Sequence, residues 1–100
     1  MNSSIIEVEI PIAQNVEITE DSLTVELSDG RTISVPLAWY PRLVDGTPEE
    51  KNNWRLIGGG HGIHWEVLDE DISVEGLLFG KASGESQASF KKWLSGRTGR

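Results

Sequence analysis

The residues of this chain best equipped for chemistry lie close together. Both histidines, His61 and His64, fall within residues 58–71, with Glu66, Asp69, Glu70 and Asp71 beside them. Two imidazoles and a carboxylate can hold Zn²⁺ or Fe²⁺, which makes His61, His64, Asp69 and Asp71 the metal candidates. The alternative chemistry is hydrolysis, with His64 polarised by Asp69 or Asp71 as a general base. The chain has no cysteine and no Gly-x-Ser-x-Gly elbow, so water would have to be the nucleophile. Both readings meet an objection. His61 follows the loop-forming run Gly58-Gly59-Gly60, and the three-residue spacing to His64 is not placed on a helix face. His64 is more simply a strand residue hydrogen-bonded to a nearby carboxylate. Acidic residues ahead of a helix ordinarily cap it and balance its dipole. No catalytic residue, metal or cofactor is therefore assigned.

The elements that would position these residues follow from local pattern. The glycines do not form a phosphate cradle, because no Lys-Ser/Thr pair and no helix follow them. A wide turn with positive-φ positions, or a close approach of another backbone, accounts for them. Residues 62–68 read as a strand with Ile63, Trp65 and Val67 on one face and His64 and Glu66 on the other. Asp69-Glu70-Asp71 reads as an acidic turn, with Asp71 capping a helix that begins at Ile72. That helix presents Val74, Leu77 and Leu78, widened by Phe79, and stops at Gly80.

Upstream, residues 16–37 carry a clear period of two. Val16 and Ile18, then Leu23, Val25 and Leu27, then Ile33, Val35 and Leu37 share one face, with polar residues between them. Asp29-Gly30 is the signature of a two-residue hairpin turn. The expectation is a three-stranded antiparallel meander, wet on one side. Pro36 ends it, and residues 37–43 form a short helical turn whose Trp39, Tyr40 and Leu43 cover the sheet. Thr47-Pro48-Glu49-Glu50 is a capping box for a short helix running through Asn53 and Trp54, with Trp54 as its anchor. Residues 55–57 lead out extended. At the N-terminus, residues 5–10 alternate as an edge strand would before Pro11; a loosely ordered arm fits equally well.

Composition sets the broad class. One hundred residues with 37% hydrophobic content and four tryptophans support one modest core. The absence of cysteine, of a signal-peptide pattern and of an apolar run near the ~20 residues of a membrane helix points to the cytoplasm and away from a membrane. Residues 1–80 hold fifteen Asp/Glu against four Lys/Arg, a balance of −11, whereas residues 81–100 hold five Lys/Arg against one Glu, a balance of +4. The acidic body would repel a phosphate backbone, so nucleic-acid contact is disfavoured for the body and conceivable only at the basic tail. Within that tail, Phe90, Trp93 and Leu94 share one helical face, and a helix this short requires a surface to dock on: its own acidic body, a second subunit or a partner.

The order of motifs carries a resemblance. An Asp-Gly hairpin, then Trp39-Tyr40-Pro41-Arg42-Leu43, Trp54, Gly62-Ile63-His64-Trp65 and Leu68-Asp69-Glu70-Asp71-Ile72-Ser73 resembles a family of small bacterial proteins, domain of unknown function 2442. The resemblance covers about residues 16–80. It implies an α+β fold with an N-terminal antiparallel meander. It also implies genes set beside that of another small protein, in a toxin–antitoxin-like arrangement. Some relatives add a helix-turn-helix domain, which this chain lacks, and direct operator binding is not expected of it. The resemblance brings no catalytic residue.

The resulting expectation is an α+β chain with a three-stranded antiparallel meander, short helices, a further strand, a capped helix and a C-terminal amphipathic tail helix. Its parts are an arm or edge strand over 1–15, one domain over 16–80, and a basic linker and helix over 81–100. Its function reads as protein interaction, in an antitoxin-like or accessory role. Phe90, Trp93 and Leu94 would engage the partner together with Glu66, Asp69 and Glu70. A homodimer through the tail is the other protein-docking arrangement, and metal binding or hydrolysis at His61/His64 with Asp69/Asp71 is the alternative function.

Overall fold

A computed structural model of the chain describes residues 9–98. The first sheet is the meander that the alternation predicts: β1 (Ala13–Ile18), β2 (Ser22–Leu27) and β3 (Thr32–Pro36), antiparallel in that order. Leu23 faces Val35 and Val25 faces Ile33 across β2 and β3. Leu23, Val25, Leu27 and Val35 are buried. The opposite face is polar, with Thr24 and Ser34 hydroxyls 2.7 Å apart. A register shift between Ala13 and Asn15 lets Ala13 and Val16 both point inward although they are three residues apart. The hairpin turn is one residue longer than Asp29-Gly30 alone suggests. The Leu27 amide donates to Arg31 O and the Gly30 amide to Leu27 O, leaving a three-residue loop closed by Gly30 at φ +93°.

The larger departure from expectation is a complete second sheet where one strand was expected. It consists of β4 (Trp54–Ile57), β5 (Gly62–Trp65) and β6 (Glu70–Ser73), again an antiparallel meander. Trp54 is therefore the first residue of β4, paired with Trp65, and not the end of a helix. Val67 does not join Ile63 and Trp65 on the inner face. The strand ends at Trp65, Val67 is exposed in the following turn, and Leu68 takes the buried place. Asp69 closes that turn at φ +54°, a left-handed conformation that Asp tolerates better than bulkier residues. Asp71 does not cap a helix. It lies within β6 opposite His64, and Ser73 caps instead, its hydroxyl accepting from the Gly76 amide at 2.9 Å. Strand pairing with β5 satisfies the backbone at 70–73 and delays the helix by two residues.

The two sheets are joined by a 3₁₀ turn (Leu37–Trp39), α1 (Pro41–Asp45) and α2 (Pro48–Asn52). The predicted capping box is present. The Glu50 amide donates to Thr47 Oγ1 at 3.2 Å, and the Thr47 amide donates to Glu50 Oε1 at 2.9 Å. Trp65 Nε1 donates to Lys51 O at 2.9 Å, tying α2 to the second sheet. Leu23, Val25, Leu37, Leu43, Ile63, Trp65, Leu68 and Val74 are the largest fully buried side chains, and residues of both sheets form one core cluster. Gly60, at φ +98°, admits Ile12 so closely that an added Cβ would lie 2.9 Å from Ile12 Cβ.

The chain then forms α3 (Val74–Leu78), which Phe79 and Gly80 terminate. The Gly80 amide donates to Leu77 O and the Lys81 amide to Gly76 O, the paired bonds of a Schellman ending. Val74 and Leu77 are buried, but Phe79 is exposed and does not widen the inner stripe. Residues 81–86 cross the body without regular structure, and α4 (Gln87–Thr98) follows. The candidate strand over 5–10 falls mostly outside the described residues; residues 9–12 have no regular structure. No helix among the described residues is long and apolar enough to cross a membrane.

Candidate functional site

The β5–β6 register decides which of the predicted chemical residues meet. His64 and Asp71 are paired and share the outer face of the second sheet. His64 Nδ1 lies 2.5 Å from Asp71 Oδ1, and Nε2 lies 3.0 Å from Glu66 Oε1. The Asp71 bond raises the His64 pKa above its ordinary value; partial burial opposes this and Glu66 reinforces it. Both ring nitrogens are thus occupied by carboxylates, and Arg55 Nη2 adds a contact to Glu66 at 3.4 Å. His61 is not part of this cluster. It lies beyond Gly60, where its backbone carbonyl accepts from the Val74 amide. Among the described residues, no group of three or more His, Asp or Glu is arranged to hold a metal ion.

Asp69 and Glu70 belong to a different locality, organised by Arg42. Because Trp65 pairs with Glu70 and Ile63 with Ile72, Glu70 stands on the core-facing side of β6. Arg42, on α1, reaches three segments of the chain. Its Nη1 donates to Asp69 O at 3.0 Å and Asp69 Oδ2 at 3.3 Å. Its Nε and Nη2 grip Glu85, with Nη2 to Oε2 at 2.5 Å. Its guanidinium carbon lies 5.0 Å from the Trp93 ring centroid. Arg97 covers the same ring at 4.8 Å and binds Glu50 at 2.8 Å and Asp45 at 3.0 Å. The basic tail has therefore found its surface on its own acidic body.

Two electrostatic consequences follow. Arg42 holds the Glu85 carboxyl below its ordinary pKa, and Ser89 adds to this. Glu70 has no such donor: its carboxyl accepts no hydrogen bond from the described residues. Burial pushes it up to about 7; Arg42 opposes the rise, and Glu85, Asp71 and Asp69 increase it. The neighbouring Tyr40 hydroxyl is pushed up to about 12 by burial and by Glu70.

The predicted docking trio divides. Trp93 turns toward the core cluster between the two arginines. Phe90 stacks on Trp93 with centroids 5.8 Å apart and, with Leu94, lines a cleft of about 430 Å³ against Ala38, Pro41, Val44 and Asp45. Val44 is 52% exposed there. Of the predicted acidic contacts, Glu66 lies with His64, whereas Asp69 and Glu70 lie near Arg42. Sequence reasoning missed Arg42 and Val44. The run Pro41-Arg42-Leu43-Val44 contained both, but only Leu43 is fully buried.

A family model described as a protein of unknown function, DUF2442, matches residues 13–83. The chain belongs to the DUF2442 family. The matched residues run from the start of β1 to Ser83, whose amide donates to Trp39 O at 3.0 Å. In this DUF2442 chain α4 lies beyond them. The fold is similar to a crystal structure of a protein of unknown function from Rhodospirillum rubrum, with a TM-score of 0.64 and 28% identity over 78% of this chain and 94% of that one. It is also similar to a solution NMR structure of an uncharacterized protein from Chromobacterium violaceum, with a TM-score of 0.62 and 23% identity over 81% of this chain and 74% of that one. No curated protein matches this DUF2442 chain.

Proposed function

We propose that this chain is a cytoplasmic protein-interaction module, an antitoxin-like or accessory partner of a small protein encoded beside it. The observation that carries this reading is the cleft of about 430 Å³ between α1 and α4, where Val44, Pro41, Phe90 and Leu94 present apolar surface. Apolar anchors seated in such a cleft dominate the energetics of most interfaces. The occupant is an apolar segment flanked by basic residues. Residues 1–80 carry a balance of −11, which steers a basic partner toward the cleft. The gene arrangement implied by family membership supplies the candidate partner.

Co-expression with the adjacent gene product, followed by affinity capture, tests this. Wild type should form a stoichiometric complex, and Val44→Glu should weaken it at least tenfold while leaving the thermal melt within a few degrees. Absence of a complex, or equal binding by Val44→Glu and Phe90→Ala, refutes the assignment. Self-association of the isolated chain, seen by light scattering and abolished by the same substitutions, would assign the cleft to a second copy instead.

A further inference from the structure

Glu70 occupies a position that strand alternation ordinarily reserves for an apolar residue: two before buried Ile72 and opposite buried Trp65. It lines two adjoining clefts, of about 240 and 320 Å³. The outer wall of both is the strap that leads to α4. Lys81, Ala82, Ser83 and Gly84 close one cleft, and Ser83, Glu85 and Ser89 help to close the other. Charged and titratable groups face Glu70 from every element packed on it. They are Tyr40 and Arg42 from the segment around α1, Lys81 and Glu85 from the strap and Asp69 from the turn; Asp71, on the other face of the same strand, adds its charge from behind.

Arg42 is already committed through all three guanidinium nitrogens to Glu85 and Asp69. Lys81 lines the same cleft but forms no ion pair with Glu70 among the described residues, so an ionised Glu70 has two courses. It can stay unpaired beside Glu85, Asp69 and Asp71, or it can draw Arg42 away from Glu85. The first repels the strap and the second unfastens it. A protonated Glu70 does neither.

We propose that Glu70 is a proton-operated catch for the C-terminal segment: neutral, it lets residues 81–86 lie across β6 and α4 dock on Arg42; ionised, it releases them. Release hydrates the carboxyl and removes Glu85 from its side, so the undocked form binds the proton less tightly. A one-unit difference in pKa between docked and undocked forms changes the docking equilibrium about tenfold. Docking is therefore strongest on the acid side and weakens as pH rises through the Glu70 transition. The isolated chain reports this whether or not the cleft takes a partner.

The test follows the α4 amides and the Trp93 indole of the full chain by NMR from pH 5 to 8.5. In wild type these signals should move toward undocked positions around pH 7, with the docked-to-undocked ratio falling at least about tenfold. Glu70→Gln and Glu70→Leu should hold α4 docked across the range. His64→Gln should keep the wild-type transition, because His64 contacts Asp71 and Glu66 on the opposite face. A wild-type α4 that does not respond to pH overturns the proposal. So does a transition that survives in either Glu70 variant, or one that vanishes in His64→Gln.

Discussion

Replacing Arg42 by Met keeps a long apolar stem and removes the bonds by which its guanidinium ties α1 to the β5–β6 turn and the strap, together with its cation–π contact to Trp93; the Arg97 pairs with Asp45 and Glu50 remain. The Arg42 and Glu85 side chains are 15% and 9% exposed. The pair lies between an exposed ion pair, worth up to about 1 kcal/mol, and a buried one, whose breakage costs about 3–5 kcal/mol. Its forked geometry and the shielded carboxylate left behind place the loss at about 2 kcal/mol, and the cation–π contact to Trp93 adds about 0.5–1 kcal/mol. That loss cannot exceed the free energy that docks α4, because a released tail no longer feels it. If docking and global folding are coupled, a domain of this size should melt roughly 10 °C lower. If α4 opens alone, its amides lose protection while the melt of the two sheets barely moves. Urea unfolding and native-state hydrogen exchange at pH 5.5 on wild type, Arg42→Met, Glu85→Gln and the double variant separate these cases. The cycle should return a coupling of about 2 kcal/mol in α4 opening. A coupling below about 0.5 kcal/mol, with α4 protection intact in Arg42→Met, refutes the assignment of Arg42 as the anchor.

Three further outcomes are expected. Thr47→Ala, which removes the acceptor for the Glu50 amide, should lower stability by about 1 kcal/mol in denaturant unfolding, and Thr47→Ser should recover most of it. Gly60→Ala should destabilise by more than about 1 kcal/mol, because φ is +98° and the new methyl meets Ile12; Gly59→Ala, with nothing within 4 Å, should cost less. His64 binds its proton more tightly folded than unfolded, so its stabilising contribution is complete below its ordinary pKa of 6.5 and is lost as pH rises through the elevated folded value. A titration of the His64 ring by NMR should show a raised midpoint that falls in Asp71→Asn.

The first sheet was readable because its strands are five or six residues long, β2 alternates strictly, and Asp29-Gly30 marks the turn between β2 and β3. The capping box and the Gly80 ending were readable because their partners lie within a few residues. The second sheet resisted because its strands are four residues each and two are joined through glycines. So short a run of Trp-Arg-Leu-Ile or Glu-Asp-Ile-Ser matches several templates. That ambiguity moved Trp54 onto a helix and Asp71 onto a cap, and it hid Glu70: only once β6 is a strand does Ile72 carry Glu70 to the inner face. The opposite charges of body and tail were legible, but they left open whether the tail docks on its own body, a second subunit or a partner. Arg42 as the focus of the docking could not be foretold, since its partners Asp69 and Glu85 are 27 and 43 residues away and only the fold delivers them.

Each sheet draws its three strands from one uninterrupted stretch, 13–36 and 54–73. As the nascent chain leaves the ribosome, residues 13–36 emerge ahead of residues 54–73, so the first sheet can zip before the second is free, and the second needs only its own twenty residues to follow. The inner face of the earlier sheet must then wait, uncovered, for Trp65, Ile63 and Leu68 to arrive. The pace at which residues 37–68 emerge thus sets how long that half-built molecule is open to wrong company.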